Sequence, residues 1–285
     1  PAVGDFNHDG RLDMALNNQG LVYVLLANRN TFMGLRIDTA TGFQPYSTAA
    51  ADLDHGGTTD VVVANRQSNT VTVLPGNGDG TFGAATTLDC GAGPEQVLLQ
   101  DVTGDTERDL IIVNSDGGSV TVRPGNGDGT FGARTDYPAG VRPVSVAVAE
   151  LTGDAILDLA VADYSAHAVL ILPGTGGGTF GTPASLPVEY YPVHLLAADV
   201  TADGRSDLIV SNSASNTLSI LTGIVGGMPV AAAVIAAGVS PIHVVTLNAD
   251  GDAHIDLAVV ASGSNQVLVL HGEGTGAFAS PETYA

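Results

Sequence analysis

The sequence lacks lysine and tryptophan, and it carries little positive charge. Its nine basic residues are all arginine, against 30 acidic residues, so the formal net charge of the 285-residue chain is -21. Nucleic acids and anionic membrane surfaces attract proteins through lysine and arginine. The charge therefore argues against both partners and favours cations. Cys90 is the single cysteine, which excludes an internal disulfide without indicating a compartment.

Long hydrophobic runs are also absent. No apolar stretch reaches the roughly 18 residues of a membrane helix, so we expect no membrane insertion. The chain is nevertheless 44% hydrophobic, with a mean hydropathy of +0.25, which permits a large core and is not typical of a disordered acidic segment. No signal peptide is visible, and the chain begins at Pro1 without methionine. We expect a processed chain or a fragment whose partners include further domains of a longer chain.

An acidic stretch of nine residues recurs six times. The copies are DFNHDGRLD at residue 5, DLDHGGTTD at 52, DVTGDTERD at 101, ELTGDAILD at 150, DVTADGRSD at 199 and NADGDAHID at 248. The first step is 47 residues and each later step is 49 residues. The chain is thus predicted to be a single domain, 1–285, with repeats at approximately 1–42, 43–92, 93–141, 142–190, 191–239 and 240–285.

Each repeat contains four short apolar runs, which indicate four strands. In the fourth repeat, the first three are PVSVAVAE, DLAVAD and AVLILPG. Such Val-, Ile- and Leu-rich runs are bounded by Gly, Asn, Asp and Pro, and none has helical periodicity. The near-continuous second run predicts a strand buried on both faces. Four strands in about 49 residues predict an all-β fold, a β-propeller of six four-stranded blades, rather than a linear β-solenoid. The alternative is that the chain is part of a longer protein with seven blades, which would need roughly 340 residues at this period.

The acidic stretches have the composition of calcium loops. Calcium takes six to eight oxygen ligands, and alternate carboxylates on a flexible loop can supply them. Three carboxylates in nine residues also repel one another unless a cation neutralises them. The predicted ligands stand at loop positions 1, 3, 5 and 9: Asp5, Asn7, Asp9, Asp13, Asp52, Asp54, Asp60, Asp101, Thr103, Asp105, Asp109, Glu150, Thr152, Asp154, Asp158, Asp199, Thr201, Asp203, Asp207, Asn248, Asp250, Asp252 and Asp256.

We expect up to six Ca²⁺ ions, one per blade loop. The second loop is predicted to be the weakest, because Gly56 stands at its position 5. Magnesium suits such loops less, since it keeps several waters and demands octahedral geometry. The alternative is a metal-free Asx turn, which aspartate and glycine also favour.

The acidic loop, the DLIVSN-type strand after it and the GNGDGTFG turns at 76–83 and 125–132 together resemble the FG-GAP/VCBS repeats of integrin-α-like propellers. GIVGGMP at 223–229 and ANRNTF at 27–32 depart from the pattern. The resemblance implies a calcium-stabilised, non-catalytic interaction or adhesion module, secreted or at the cell surface. Its implied partner is a protein, a cell surface or a glycan. A carbohydrate-binding lectin and the propeller domain of a polysaccharide-active enzyme are the alternatives.

No catalytic set emerges from the sequence. It contains no GxSxG, no HExxH and no Cys–His pair placed by the repeat, so we expect no enzyme. The GNGDGTF segments lack the following helix and the GK[ST] of a phosphate loop, which indicates hairpin turns.

A candidate ligand face lies opposite the acidic loops. The residue two positions after each strand-opening proline is predicted to ring one mouth of the propeller channel, with Tyr164, His167 and Tyr190 nearby. The absence of tryptophan and the 5% aromatic content weigh against sugar stacking. An ordinary polar rim is the alternative to a ligand face. The ligand-face candidates are Tyr46, Gln96, Arg142, Tyr191, His194 and His243.

Overall fold

The structure, a computed structural model, describes residues 1–27, 34–225 and 228–284. It contains six four-stranded antiparallel sheets and, within those residues, no helix. The predicted all-β propeller of six four-stranded blades is therefore confirmed. No helix of the described residues is long and apolar enough to cross a membrane.

Two compact units contain three blades each, Pro1–Pro138 and Ala139–Ala285. The single domain over 1–285 stays a prediction. In the first unit the blades are formed by β1 (Ala2–Gly4), β2 (Asp13–Asn18), β3 (Leu21–Leu25) and β4 (Arg36–Ala40); β5 (Pro45–Ala51), β6 (Asp60–Asn65), β7 (Thr70–Leu74) and β8 (Thr86–Asp89); and β9 (Pro94–Gln100), β10 (Asp109–Asn114), β11 (Ser119–Arg123) and β12 (Thr135–Pro138).

The second unit has the same order in each blade, with one small additional hairpin, β16–β17, in blade 4. Its strands are β13 (Pro143–Ala149), β14 (Asp158–Asp163), β15 (Ala168–Leu172), β16 (Gly174–Gly176), β17 (Thr179–Phe180) and β18 (Ala184–Pro187); β19 (Pro192–Ala198), β20 (Asp207–Asn212), β21 (Thr217–Val225) and β22 (Met228–Ala236); and β23 (Pro241–Leu247), β24 (Asp256–Ala261), β25 (Gln266–Leu270) and β26 (Glu282–Tyr284).

The core lies between neighbouring blades, and the second strands form its centre. Every residue of β6, β10, β14 and β20 is buried, as their continuous hydrophobicity predicts. In the first unit Val62 and Ile112 belong to one cluster, and in the second unit Ala160 and Leu208 belong to another. Stacked sheets therefore bury both faces of these strands, which is why their sequences do not alternate.

Each inner strand after the first opens with a proline, as predicted, and several bulge directly after it. The register with the second strand shifts between Pro45 and Ser47, and likewise between Pro192 and His194. The residue before the proline often has a left-handed backbone, as at Tyr191 with φ 57°. This turn places the residues of the predicted ligand face.

The antiparallel order puts the acidic loop at the same end of a blade as the connection between the third and fourth strands, which is the glycine-rich turn in blades 2, 3, 4 and 6. The predicted hairpin turns are confirmed by bridges such as Gly76 to Phe82. The Gly80 and Gly129 amides donate to the carbonyls of Phe6 and Leu53 in the preceding blade, at 2.8 and 2.9 Å. In blade 5 the turn is replaced by the longer strands β21 and β22. The departures at 27–32 and 223–229 lie partly outside the described residues.

Candidate functional site

In each blade the aspartate at loop position 9 is buried and accepts hydrogen bonds from the backbone, an arrangement that we call the aspartate bracket. These six side chains are at most 2% exposed, and each accepts the backbone amide of loop position 2, for example Leu151 to Asp158 at 2.7 Å. Five of them also accept the amide just after the third strand, for example Gly174 to Asp158 at 2.7 Å. The carboxylate therefore ties the loop to the end of the third strand.

Blade 5 departs from this bracket. Asp207 Oδ2 accepts the amides of Val200 and Thr201, at 3.0 and 3.1 Å, but its buried Oδ1 has no hydrogen-bond partner. Burial raises the pKa of Asp207 above the usual value. Burial likewise raises the pKa of Asp158, where two backbone hydrogen bonds oppose the effect. Hydrogen bonds oppose burial at Asp207 as well, but all of them, including one from the Thr201 hydroxyl at 3.1 Å, reach Oδ2, so Oδ1 is the oxygen that they leave without a partner.

The side chains at positions 1 and 5 hold the loop through Asx-type hydrogen bonds. In the first loop the amides of Asp9 and Gly10 donate to Asp5, at 3.1 and 2.8 Å, and the Arg11 amide donates to Asp9 at 3.0 Å. The fifth loop repeats the pattern with Asp199 and Asp203. Each bond occupies one lone pair of an oxygen that has two. Calcium ligation by the remaining lone pairs stays a prediction.

The second loop brings three carboxylates together. An oxygen each from Asp52, Asp54 and Asp60 lie within 4.8 Å of one another. Gly56, the reason for ranking this loop last, makes room for this arrangement, since a Cβ there would meet Asp54 Oδ1 at 2.7 Å. Such a group of oxygens fits a hard divalent cation.

One residue of the sixth blade that the sequence reasoning missed is His271. It follows β25 and stands beside the acidic loop, with Nδ1 3.5 Å from Asp250 Oδ2. The sequence contained a signal for His271, because blades 2, 3 and 4 have a proline at the same position of the repeat: Pro75, Pro124 and Pro173.

At the opposite end of each blade, the turns that join successive blades expose apolar side chains. We call these residues the link residues: Phe43 and Ala92 in the first unit, and Val141, Tyr190 and Val239 in the second. Val141, Tyr190 and Val239 are 71%, 62% and 51% exposed. Their backbones are nevertheless fixed, since the Tyr190 and Val239 carbonyls accept amides from the turn after the second strand. Large exposed apolar side chains on a fixed backbone are candidates for contact with a partner.

Five predicted ligand-face and neighbouring residues of the second unit form one cluster, which we call the tyrosine cluster. The Arg142 guanidinium lies 4.7 Å from the ring centroid of Tyr164, which stacks on Tyr191 at 4.6 Å. The His167 ring meets Tyr190 and Tyr191 edge to face, at 5.0 and 4.9 Å. His167 Nδ1 also accepts the Tyr191 amide at 3.2 Å. The cluster is thus preorganised, with Tyr190 its most exposed tyrosine.

The first unit contains a smaller polar counterpart at Tyr46. The Arg66 guanidinium lies 5.7 Å from the Tyr46 ring and pairs with Glu95 at 2.5 Å and Asp116 at 2.9 Å. The structure therefore places Tyr46 beside a charged network that belongs to the turns of blades 2 and 3. Gln96 lies on β9 of the same unit.

His194 links blades 5 and 6 through a hydrogen bond to the backbone. Its Nδ1 accepts the Val244 amide at 3.4 Å, as the Ser145 hydroxyl accepts the Leu195 amide at 3.3 Å. Burial, with the neighbouring His243, lowers the pKa of His194 to about 3, so the ring is neutral at physiological pH. The His194 and His243 rings stack at 3.9 Å, and His243 is exposed. The arrangement of these positions around a channel mouth concerns both units and stays a prediction.

Cys90 is a free, buried thiol directly after β8. Burial raises the pKa of Cys90 to about 12, so the thiolate required for nucleophilic chemistry is not populated near neutral pH.

One family model matches this chain in three places, which together cover more than half of its length. The FG-GAP-like repeat model matches residues 5–63, 101–161 and 151–210. Among curated protein sequences, none matches.

Solved structures with the same fold include both binding proteins and enzymes. An Agrocybe aegerita lectin that recognises non-reducing terminal N-acetylglucosamine is 19% identical, with a TM-score of 0.66 over 99% of this chain and 78% of the lectin. The Pseudomonas aeruginosa periplasmic gluconolactonase PpgL is 16% identical, with a TM-score of 0.72 over 99% and 84%. Virginiamycin B lyase from Staphylococcus aureus is 13% identical, with a TM-score of 0.64 over 99% and 83%. Such identities show a shared fold, which does not determine function.

Proposed function

This chain belongs to the FG-GAP-like repeat family, and on that premise we propose that it is a calcium-stabilised, non-catalytic extracellular module that binds a protein partner. The proposal rests on the side chains at the end of the blades opposite the acidic loops. There the second unit presents three exposed apolar link residues, one of which, Tyr190, belongs to the preorganised tyrosine cluster.

The tyrosine cluster has the chemistry of a binding hot spot. Tyrosine and arginine are enriched at hot spots because they offer large contact areas and polar groups together. The cluster is also held before any partner arrives: the Asp163 carboxylate accepts the amides of Val141 and Arg142, at 2.6 and 3.0 Å. A surface fixed in this way loses little conformational entropy on binding.

Calcium supplies stability in this proposal and takes no part in chemistry. Loops that present several carboxylates to solvent gain from a divalent cation, and the Asp52, Asp54 and Asp60 group fits one. The net charge of -21 gives the folded chain a further reason to bind cations. An extracellular location follows from this role, because low-affinity calcium loops fill at the millimolar concentrations outside cells.

The proposal is tested by binding of the purified, folded chain in millimolar calcium to intact cells and to cells treated with protease. We expect protease treatment to remove the binding, and Tyr190→Ser to weaken it at least tenfold, or about 1.4 kcal/mol. Tyr284→Ser is the matched control, since Tyr284 is a similarly exposed tyrosine, on β26 rather than at a link turn. Equal binding by both variants, or no binding at all, would contradict the proposal.

Carbohydrate binding is the second candidate. It is favoured by the exposed tyrosines and by the fold shared with the lectin that recognises terminal N-acetylglucosamine. It is weakened by the stacking of Tyr164 on Tyr191, which occupies one face of each ring. Calcium-dependent binding to a defined sugar on a glycan array, lost in Tyr190→Ser, would favour this candidate over the first.

A further inference from the structure

The sixth blade differs from blades 2, 3 and 4 at two positions, one in its acidic loop and one after its third strand. Asn248 replaces the acidic residue at position 1, which removes a carboxylate. His271 replaces the proline that precedes the bracketed glycine in blades 2, 3 and 4, which adds an imidazole. The backbone role is unchanged, because the His271 carbonyl accepts the Ala279 amide at 2.8 Å as the Pro75 carbonyl accepts the Gly83 amide at 2.7 Å. The replacement therefore changes the side chain and preserves the turn.

The imidazole is directed at the loop carboxylates. His271 Nδ1 lies 3.5 Å from Asp250 Oδ2 and 3.6 Å from Asp256 Oδ2. Nδ1 is buried and makes no hydrogen bond. The three side chains each offer one ligand atom within 4.8 Å of the other two.

These distances suit a shared metal ion better than direct hydrogen bonds. Contacts of 3.5–3.6 Å are too long for good hydrogen bonds between a ring nitrogen and a carboxylate. Two ligand atoms bound tetrahedrally to zinc at about 2.0–2.1 Å are about 3.3–3.4 Å apart. A nitrogen ligand in place of an oxygen also shifts the preference from calcium to metals such as zinc, cobalt and nickel.

The opposite ring nitrogen faces a carboxylate as well. Glu282 Oε1, on β26 of the same blade, lies 3.7 Å from His271 Nε2. A carboxylate on that side orients a metal-bound histidine and raises its basicity.

From these observations we propose that Asp250, Asp256 and His271 form a site for a divalent transition-metal ion of the zinc class, distinct from the calcium loops of the other blades. Three protein ligands leave one tetrahedral position for water. Glu282 is a positioning residue that acts on the imidazole through its charge, since 3.7 Å is too long for a hydrogen bond. The sixth loop then binds zinc in place of calcium, and the proposed function does not depend on it.

The test is a titration of the chelator-stripped, dialysed chain with Co²⁺ in millimolar calcium. Co²⁺ substitutes for zinc and absorbs visible light when tetrahedrally bound, whereas zinc is spectroscopically silent. We expect one equivalent of Co²⁺ to produce the absorption band and Zn²⁺ to displace it. Glu282→Gln should weaken zinc binding about tenfold or more, as measured by competition.

His271→Pro is the decisive variant, because it restores the residue that the repeat uses elsewhere and should therefore fold. We expect it to lose the cobalt band and the zinc-induced rise in melting temperature. His8→Gln is the control, since His8 belongs to the first acidic loop and contacts the Gly57 carbonyl. No band in the natural chain, or an equal band in His271→Pro, would overturn the proposal and leave His271 as an ion-pair partner of the carboxylates.

Discussion

Replacing a position 9 aspartate by asparagine should destabilise one blade strongly and another blade of the same unit hardly at all. Asp158 and Asp207 are equally buried, and burial raises the pKa of both. Both oxygens of Asp158 accept amides, at 2.7 Å each. Asparagine keeps one acceptor and turns an amino group toward the second amide, so Asp158→Asn loses a charge-assisted hydrogen bond and leaves a buried N–H unpaired. The expected loss is about 2–4 kcal/mol.

At Asp207 the same change is nearly neutral. The asparagine oxygen can accept the amides that Oδ2 accepts now, and its amino group replaces an oxygen without a partner. We expect Asp207→Asn to change the free energy of unfolding by less than about 1 kcal/mol. At about 2–3 °C per kcal/mol for a chain of this size, Asp158→Asn should melt roughly 4–12 °C below Asp207→Asn.

The assay is thermal unfolding followed by circular dichroism at pH 7 in excess EDTA. Chelation removes any contribution of a bound ion, so a difference that persists belongs to the hydrogen bonds. Equal melting temperatures for Asp158→Asn and Asp207→Asn would refute the bracket as a source of stability. A difference seen in calcium alone would assign these aspartates to the ion.

Three further predictions follow from single groups. In EDTA, the natural chain should gain stability relative to Asp207→Asn as the pH falls from 7 toward 4, because burial raises the folded-state pKa of Asp207 and protonation removes the penalty of the buried charge; a difference that stays constant with pH would contradict this. Cys90 should react with a thiol reagent at the rate of unfolding, and rapid labelling of the native chain would contradict its burial. His194→Ser should fold and melt within a few degrees of the natural chain, since Ser145 accepts the equivalent amide; loss of folding would show another role.

The repeat period and the hydrophobic pattern were enough to predict the blades. Strands β6, β10, β14 and β20 are buried on both faces, as their uninterrupted apolar sequences require. The GNGDGTFG segments are hairpin turns, since no helix follows to form a phosphate loop. These properties are local, so a single sequence can reveal them.

Contacts between blades could not be predicted in the same way. The hydrogen bond from the Val244 amide to His194 joins residues 50 positions apart. His194, which we expected to contact a ligand, therefore has a structural role. Tyr191, which stacks on Tyr164, has a left-handed backbone. A non-glycine residue in this conformation could not be predicted from the sequence. His271 was visible as a departure from the repeated proline, but its approach to Asp250 appears in three dimensions alone.

The acidic loops also show why composition is an incomplete guide to metal ligands. Crowded carboxylates suggested that a cation must neutralise them. In the structure, backbone amides of the loop donate to many of these oxygens, for example to Asp5 and to Asp158. Hydrogen bonds from amides stabilise a carboxylate without an ion, so crowded carboxylates alone do not require a cation.

Calcium binding by the acidic loops is the claim on which the proposed stabilisation and the proposed extracellular location both depend. The most direct measurement is a calcium titration of the chelator-stripped chain, with binding followed by calorimetry and unfolding followed in parallel. At about 1 mM calcium, sites with dissociation constants near 10⁻⁴–10⁻³ M should each add about 0.4–1.4 kcal/mol. We expect several ions per chain and a melting temperature that rises by several degrees. No binding heat, together with an unchanged melting temperature in excess EDTA, would contradict the claim.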